Sequence, residues 1–161
     1  MKGDGIFTIK GGLFADEYWC RFYGLTTGFY VKEAWQAGSD ILKSPVRTGS
    51  GDIRVILAED ASITAVVGSP GAPPVHNALV LLMQADLPPQ YRPDAVVIRS
   101  TDQNGTSIFT GVAPGKYRIV AIPDTDSERA GDWEYVQAIA AKATNIQAET
   151  NARLSVTLQV Q

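Results

Sequence analysis

Few residues in this chain are equipped for chemistry: the 161 residues include one His and one Cys. His76 follows Pro73-Pro74-Val75 at a strand entrance. A catalytic base there would need a nucleophile and an orienting acid, and no spacing supplies either. Cys20 lies in Tyr18-Trp19-Cys20-Arg21-Phe22 and reads as a core thiol set in a strand, because no neighbouring His would lower its pKa. These counts exclude a disulfide framework, a Cys/His zinc centre and any site built on two histidines. There is no Gly-x-Ser-x-Gly elbow and no Gly-rich phosphate loop.

Oxygen ligands are better represented. Asp124-Thr125-Asp126-Ser127-Glu128 sets Asp124, Asp126 and Glu128 at alternate positions, as the start of a calcium loop does. Arg129 then stands where that loop needs Gly, and Tyr135 where it needs a bidentate Glu. The segment therefore reads as an acidic loop leading into a helix capped by Asp132, with no metal and no cofactor. Trp133, Tyr135 and Tyr91 (on the long 86–94 loop) are the ligand-binding candidates, since exposed rings stack on the apolar faces of sugars. On a helix that starts at Trp133, the rings at 133 and 135 point about 160° apart and cannot share one platform.

The elements that would carry these residues are mostly extended. Runs at 6–10, 18–23, 29–34, 53–58, 63–67, 78–84, 95–100, 116–122 and 154–160 are short, rich in β-branched or aromatic residues, and mostly bounded by turn signals. In the last run Leu154, Val156, Leu158 and Val160 share one face, as in a half-buried strand. Gly68-Ser69-Pro70-Gly71-Ala72-Pro73-Pro74 must reverse or detour. Asn104-Gly105 is a hairpin signal, and Ala113-Pro114-Gly115 a second tight turn. One helix is expected, over 133–143. Net charge is −3 with pI near 5.1, so nothing favours nucleic acid or an anionic membrane as partner. No run approaches the ~18 apolar residues of a membrane helix. The start, Met1-Lys2-Gly3-Asp4-Gly5, lacks the apolar region of a signal peptide.

A weak internal repeat sets the expected domain plan. Gly5-Ile6-Phe7-Thr8 followed by Asp16-Glu17-Tyr18 parallels Gly105, then Ile108-Phe109-Thr110, then Gly115-Lys116-Tyr117. Each block is followed by an alternating closing strand. Residues 61–161 read as one complete β-sandwich, and residues 1–60 as the closing half of a similar one. Nine of the 14 aromatic residues fall within residues 1–36. A unit of that size buries little of its surface, so the segment is expected to contact its neighbour or form a homo-oligomer through residues 1–60.

Ile63-Thr64-Ala65-Val66-Val67-Gly68, Gly71-Ala72-Pro73-Pro74-Val75 and Ala78-Leu79-Val80-Leu81-Leu82 together resemble the opening of carboxypeptidase regulatory-like domains. Asn77 stands where that family usually has Gly. Thr101-Asp102-Gln103-Asn104-Gly105 through Ile108-Phe109, then Gly111-Val112-Ala113-Pro114-Gly115-Lys116-Tyr117, resembles the family's T-D-x-x-G-x-F…G-x-x-P-G-x-Y string. Gly24-Leu25-Thr26-Thr27-Gly28-Phe29-Tyr30-Val31-Lys32 and Gly38-Ser39-Asp40-Ile41-Leu42 are similar to the segment before such domains in large bacterial envelope-associated proteins. The resemblance implies an all-β, Ig-like or prealbumin-like sandwich related to carbohydrate-binding-like folds, here with one short helix and a partial β domain before it. It also implies an extracytoplasmic location, in the periplasm or at the cell surface, and no common catalytic activity.

Relatives with chemistry do not fit. Hydroxyisourate hydrolases need several His and a C-terminal Tyr-Arg-Gly-Ser. Intradiol dioxygenases need two Tyr and two His. The Lys–Asn isopeptide crosslink of Gram-positive adhesin domains needs a first-strand Lys that residues 61–67 lack. The expectation is a non-enzymatic structural or interaction module whose partner is a protein or the rest of its own larger chain. The alternative is a carbohydrate-binding module that takes a glycan on its loop aromatics.

Overall fold

The computed structural model describes residues 17–22, 25–69, 71–88 and 95–161. Two compact units are present: the described part of Met1–Gly24 with Val31–Leu57, and Leu25–Tyr30 with Ala58–Gln161. The expected strand at 6–10 lies outside the described residues.

In the smaller unit, β1 (Glu17–Tyr18) pairs antiparallel with β4 (Val46–Arg47). A three-stranded sheet has the order β3 (Ser39–Asp40), β2 (Phe29–Gln36), β5 (Ile53–Glu59). Buried Gln36 acts as an amide staple. Its Nε2 donates to Arg47 O at 3.0 Å and Gly51 O at 3.3 Å, and its Oε1 accepts from Arg47 N at 2.9 Å. The strand expected over 18–23 is shorter: β1 ends at Tyr18, and Cys20 lies half-buried beyond it. Aromatic content alone does not make a strand without a partner to pair with. Burial pushes the Cys20 thiol pKa up, the opposite of what a reactive cysteine needs.

The larger unit is a β-sandwich. One sheet has the order β11 (Thr144–Ala148), β10 (Gly115–Ile122), β7 (Leu79–Gln84), β8 (Val96–Ser100), with every pair antiparallel. The other has the order β12 (Arg153–Leu158), β6 (Ala61–Val67), β9 (Thr106–Val112). Here β12 runs parallel to β6, and β9 runs antiparallel to it. Alternation builds the layer between the sheets: Ile63, Ala65 and Val67 of β6 face Val80 and Leu82 of β7, with Phe109 and Ile119 completing the cluster.

The four-stranded sheet is also covered on its other face. Leu79, Leu81 and Met83 of β7, with Val120 and Ile122 of β10, pack against Val136, Ile139 and Ala140 of helix α1 (Trp133–Ala140). Those helix residues lie at i, i+3 and i+4, one face of an α-helix. Asp132 caps it, accepting from Glu134 N at 2.9 Å. The helix stops at Ala140 rather than 143 because β11 begins at Thr144, which pairs with Ile119 of β10.

Candidate functional site

The two family-like strings form two turn locks. In the first, Thr101 is buried; its Oγ1 accepts from Ala78 N at 3.0 Å and donates to Val75 O at 2.8 Å. Asp102 Oδ1 accepts from Asn104 N at 2.9 Å and Thr106 N at 2.8 Å. Gly105 has φ +69°, and a Cβ there would lie 2.8 Å from Val67 O and 3.1 Å from Val75 N. Only Gly fits that slot. Asn77 has φ 59°, in the left-handed region that glycine favours and Asn tolerates, which accounts for Asn where the family has Gly.

In the second lock, Tyr117 Oη donates to Ala113 O at 2.9 Å, four residues back across the Ala113-Pro114-Gly115 turn. Such a tyrosine corner ties a β-arch to the strand that follows it. Burial, and secondarily the nearby Tyr30, push the Tyr117 pKa up. The aromatic of the first string sits one pleat late. Ser107 occupies the second position after Gly105, and Phe109 fills the core two residues on, on the same face. Ser107 is 3% exposed, and its Oγ has no hydrogen-bond partner.

The acidic loop closes on itself. Asp124–Asp126 and Arg129–Gly131 are short 3-10 turns. Tyr135 Oη donates to Asp126 Oδ2 at 2.8 Å, Arg129 lies 3.8 Å from Asp126 Oδ1, and the Arg129 guanidinium stacks 4.2 Å from the Tyr135 ring centre. Desolvation, then the Asp126 hydrogen bond, raise the Tyr135 pKa. Asp126 is thus held by a phenol and a guanidinium, and no group of three metal-ligating side chains converges among the described residues. Asp124 sits in the same 3-10 turn, and Glu128 precedes the next. Trp133 and Tyr135 occupy the first turn of α1, half-buried and packed against the same apolar cluster as Leu81. Tyr91 lies outside the described residues.

An open cleft of about 690 Å³ is lined by His76, Asn77, Thr101, Asp102, Gln103 and Asn104. The Thr101 hydroxyl there is already donated to Val75 O, so it does not serve His76 as a nucleophile. A second cleft of about 410 Å³ lies among Ala85, Asp86, Leu87, Arg118, Gln137 and Ala140. Neither cleft includes Trp133 or Tyr135.

Sequence reasoning did not single out Asp60. It is 2% exposed; its N donates to Gly28 O at 2.9 Å, its Oδ2 accepts from Gly111 N at 2.6 Å, and Arg153 Nη1 lies 3.4 Å from Oδ1. The available signal was an Asp at the head of an alternating strand, a pattern shared with ordinary turns.

The chain is thus mostly β, a β-sandwich with one short helix. No family model matches it, and no curated protein matches it. Among solved structures it is similar to the TIE protein of Bacillus anthracis, at 14% identity over 73% of this chain and 23% of that one, with a TM-score of 0.40. The major pilin subunit of Bacillus cereus matches at 12% identity over 71% of this chain and 35% of that one, TM-score 0.40. The minor pilin of Streptococcus agalactiae matches at 14% identity over 71% of this chain and 56% of that one, TM-score 0.40. The matched region therefore spans between 23% and 56% of those proteins' lengths. Likeness at this level does not carry function across.

Proposed function

We propose that this chain is a non-catalytic structural and interaction module of a larger bacterial envelope-associated protein. Its residues 61–161 would be a carboxypeptidase regulatory-like sandwich, and residues 1–60 the closing half of a related repeat. The observation that supports this is where the conspicuous polar residues are used. Thr101, Asp102, Tyr117, Asp126, Arg129 and Tyr135 each satisfy a turn or a helix entrance, which stiffens the ends of the sandwich instead of converging on a reacting centre. A stiff sandwich with locked ends suits spacing and display, with its partner engaged by loops or a sheet edge. No helix among the described residues is long and apolar enough to cross a membrane. An extracytoplasmic location follows from the family resemblance.

The glycan alternative loses ground because Arg129 stacks on the Tyr135 ring and both candidate helix rings pack against the apolar cluster. A glycan array probed with the wild type and with Trp133→Ala separates the readings. The structural reading expects no signal from either protein. A wild-type signal lost in Trp133→Ala would overturn it in favour of carbohydrate binding. A hydrolase substrate panel completes the test: turnover that disappears in His76→Ala would make the chain an enzyme.

A further inference from the structure

The four edges of the sandwich are not protected alike. β11 presents exposed Thr144, Asn145 and Gln147, and β12 presents Arg153, Ser155 and Thr157. β9 has an irregular register against β6, and its Gly111 N–H is taken by the Asp60 carboxylate. β8 carries exposed Arg99 and Ser100 at its far end, but it has no register break and its middle is apolar. Its register with β7 is unbroken from Leu79↔Ser100 to Met83↔Val96, and it contains no Lys, Pro or Gly. Val97 is 44% and Ile98 40% exposed, on opposite faces of the strand. A regular edge with two apolar side chains exposed at its centre is a template for another strand.

The hydrogen-bond phase fixes which groups are on offer. Gln84 N donates to Ala95 O at 3.1 Å, and Thr101 N to Ala78 O at 2.8 Å. Bonded pairs recur every second residue of an antiparallel ladder, so Val97 and Arg99 bond to β7. Val96, Ile98 and Ser100 turn their N–H and C=O groups outward, and among the described residues β8 has no strand neighbour but β7.

We propose that β8 is a self-association edge: two copies of the chain join β8 to β8 antiparallel about a twofold axis at Ile98, merging their four-stranded sheets into one of eight strands. The outward groups are arranged symmetrically for this. Ile98 bonds with Ile98 of the second copy, and Val96 with Ser100 of the second copy. Charge also fits, because Arg99 then faces Val97 of the second copy and the two guanidinium groups are never directly opposed. One short strand pair buries far less than the ~1,200 Å² of a stable complex, so the association is weak and depends on concentration.

Sedimentation equilibrium up to millimolar protein tests this with the whole chain. The expected wild-type mass rises from the 17.3 kDa monomer towards twice that value. Ile98→Lys and Ile98→Glu, each checked for native circular dichroism, should both stay monomeric, because each sets like charges about 5.5 Å apart, Cα to Cα, across the axis. Mixing the two variants should restore the dimer. A wild type that stays monomeric throughout overturns the proposal. So do single variants that still dimerise, which would place the contact elsewhere, and so does a mixture that fails to associate, which would make the occupant of β8 a different chain.

Discussion

The two sheets of the sandwich solve the same burial problem differently. β7 is buried on both faces from Leu79 to Met83, with the facing sheet on one side and α1 on the other. β6 is buried on one face only; its outward Thr64 and Val66 stand beside Ile108 of β9, which is 54% exposed. A single short helix makes the difference. The contrast shows in the residues themselves, as an unbroken apolar run in β7 and as alternation from Ala61 to Ala65 in β6, where Ser62 and Thr64 point outward.

The sharpest way to break this comparison is to truncate both outward faces. Leu81→Ala, at a position with no exposure, should lower stability by about 2–5 kcal/mol. Ile108→Thr, on the uncovered face, should stay within about 0.5 kcal/mol of the wild type. Denaturant unfolding measures both, and equal losses would mean that the outer face of the three-stranded sheet is covered after all. A smaller effect isolates the helix. Asp132→Ala removes the cap of α1 and should reduce stability by ~1 kcal/mol. Amide exchange should quicken in α1 and leave β6, β9 and β12 unchanged; acceleration in all four would show that the helix is part of the main cooperative unit.

A third substitution should act in the opposite direction. Ser107 carries a buried hydroxyl with no hydrogen-bond partner. Ser107→Ala removes that desolvated group and should raise stability by up to about 1 kcal/mol, where most core truncations lower it. A loss of stability on denaturant unfolding would show that the hydroxyl has a partner.

How much of this was legible depended on which force fixed each element. β7, β10 and β12 are driven by burial, and their apolar patterns show it. β11 is not: only Ile146 and Ala148 of Thr144–Ala148 turn inward, so its polar sequence reads as loop, and it is a strand because β10 offers it a partner. The same tertiary pairing ends α1 early. The turn strings were recognisable as strings, yet their meaning is geometric. Gly105 is required by Val67 O and Val75 N, residues far off in the chain, and no local pattern reveals that. The exposed edge was hidden for a related reason. Val96-Val97-Ile98 reads like any buried run, and only the strand order shows that β8 is the last strand. Stacking of Arg129 on Tyr135 was equally invisible, since six residues apart is not a helical spacing and the contact depends on the 3-10 turn between them.

The Tyr117 lock gives the most specific effect. Tyr117 belongs to β10, and its hydroxyl fastens the turn between β9 and β10, the link between the two sheets. Its pKa is raised in the folded chain, chiefly by burial, above the ~10 of an unfolded Tyr. The folded state therefore keeps this proton to higher pH than the unfolded state does. Its contribution is complete below about pH 10 and is lost as pH rises through the folded pKa. Tyr117→Phe should cost about 0.5–1.5 kcal/mol at neutral pH, the net worth of one hydrogen bond. The gap between variant and wild type should then narrow in alkali, because only the wild type has this group to ionise. Urea unfolding of both proteins at pH 8 and pH 11 measures that gap directly. Subtracting one protein from the other removes the other tyrosines and the lysines, which titrate alike in both. A gap that is unchanged at pH 11 would mean that Tyr117 ionises alike in the folded and unfolded chain, so that neither burial nor the Ala113 bond holds its proton.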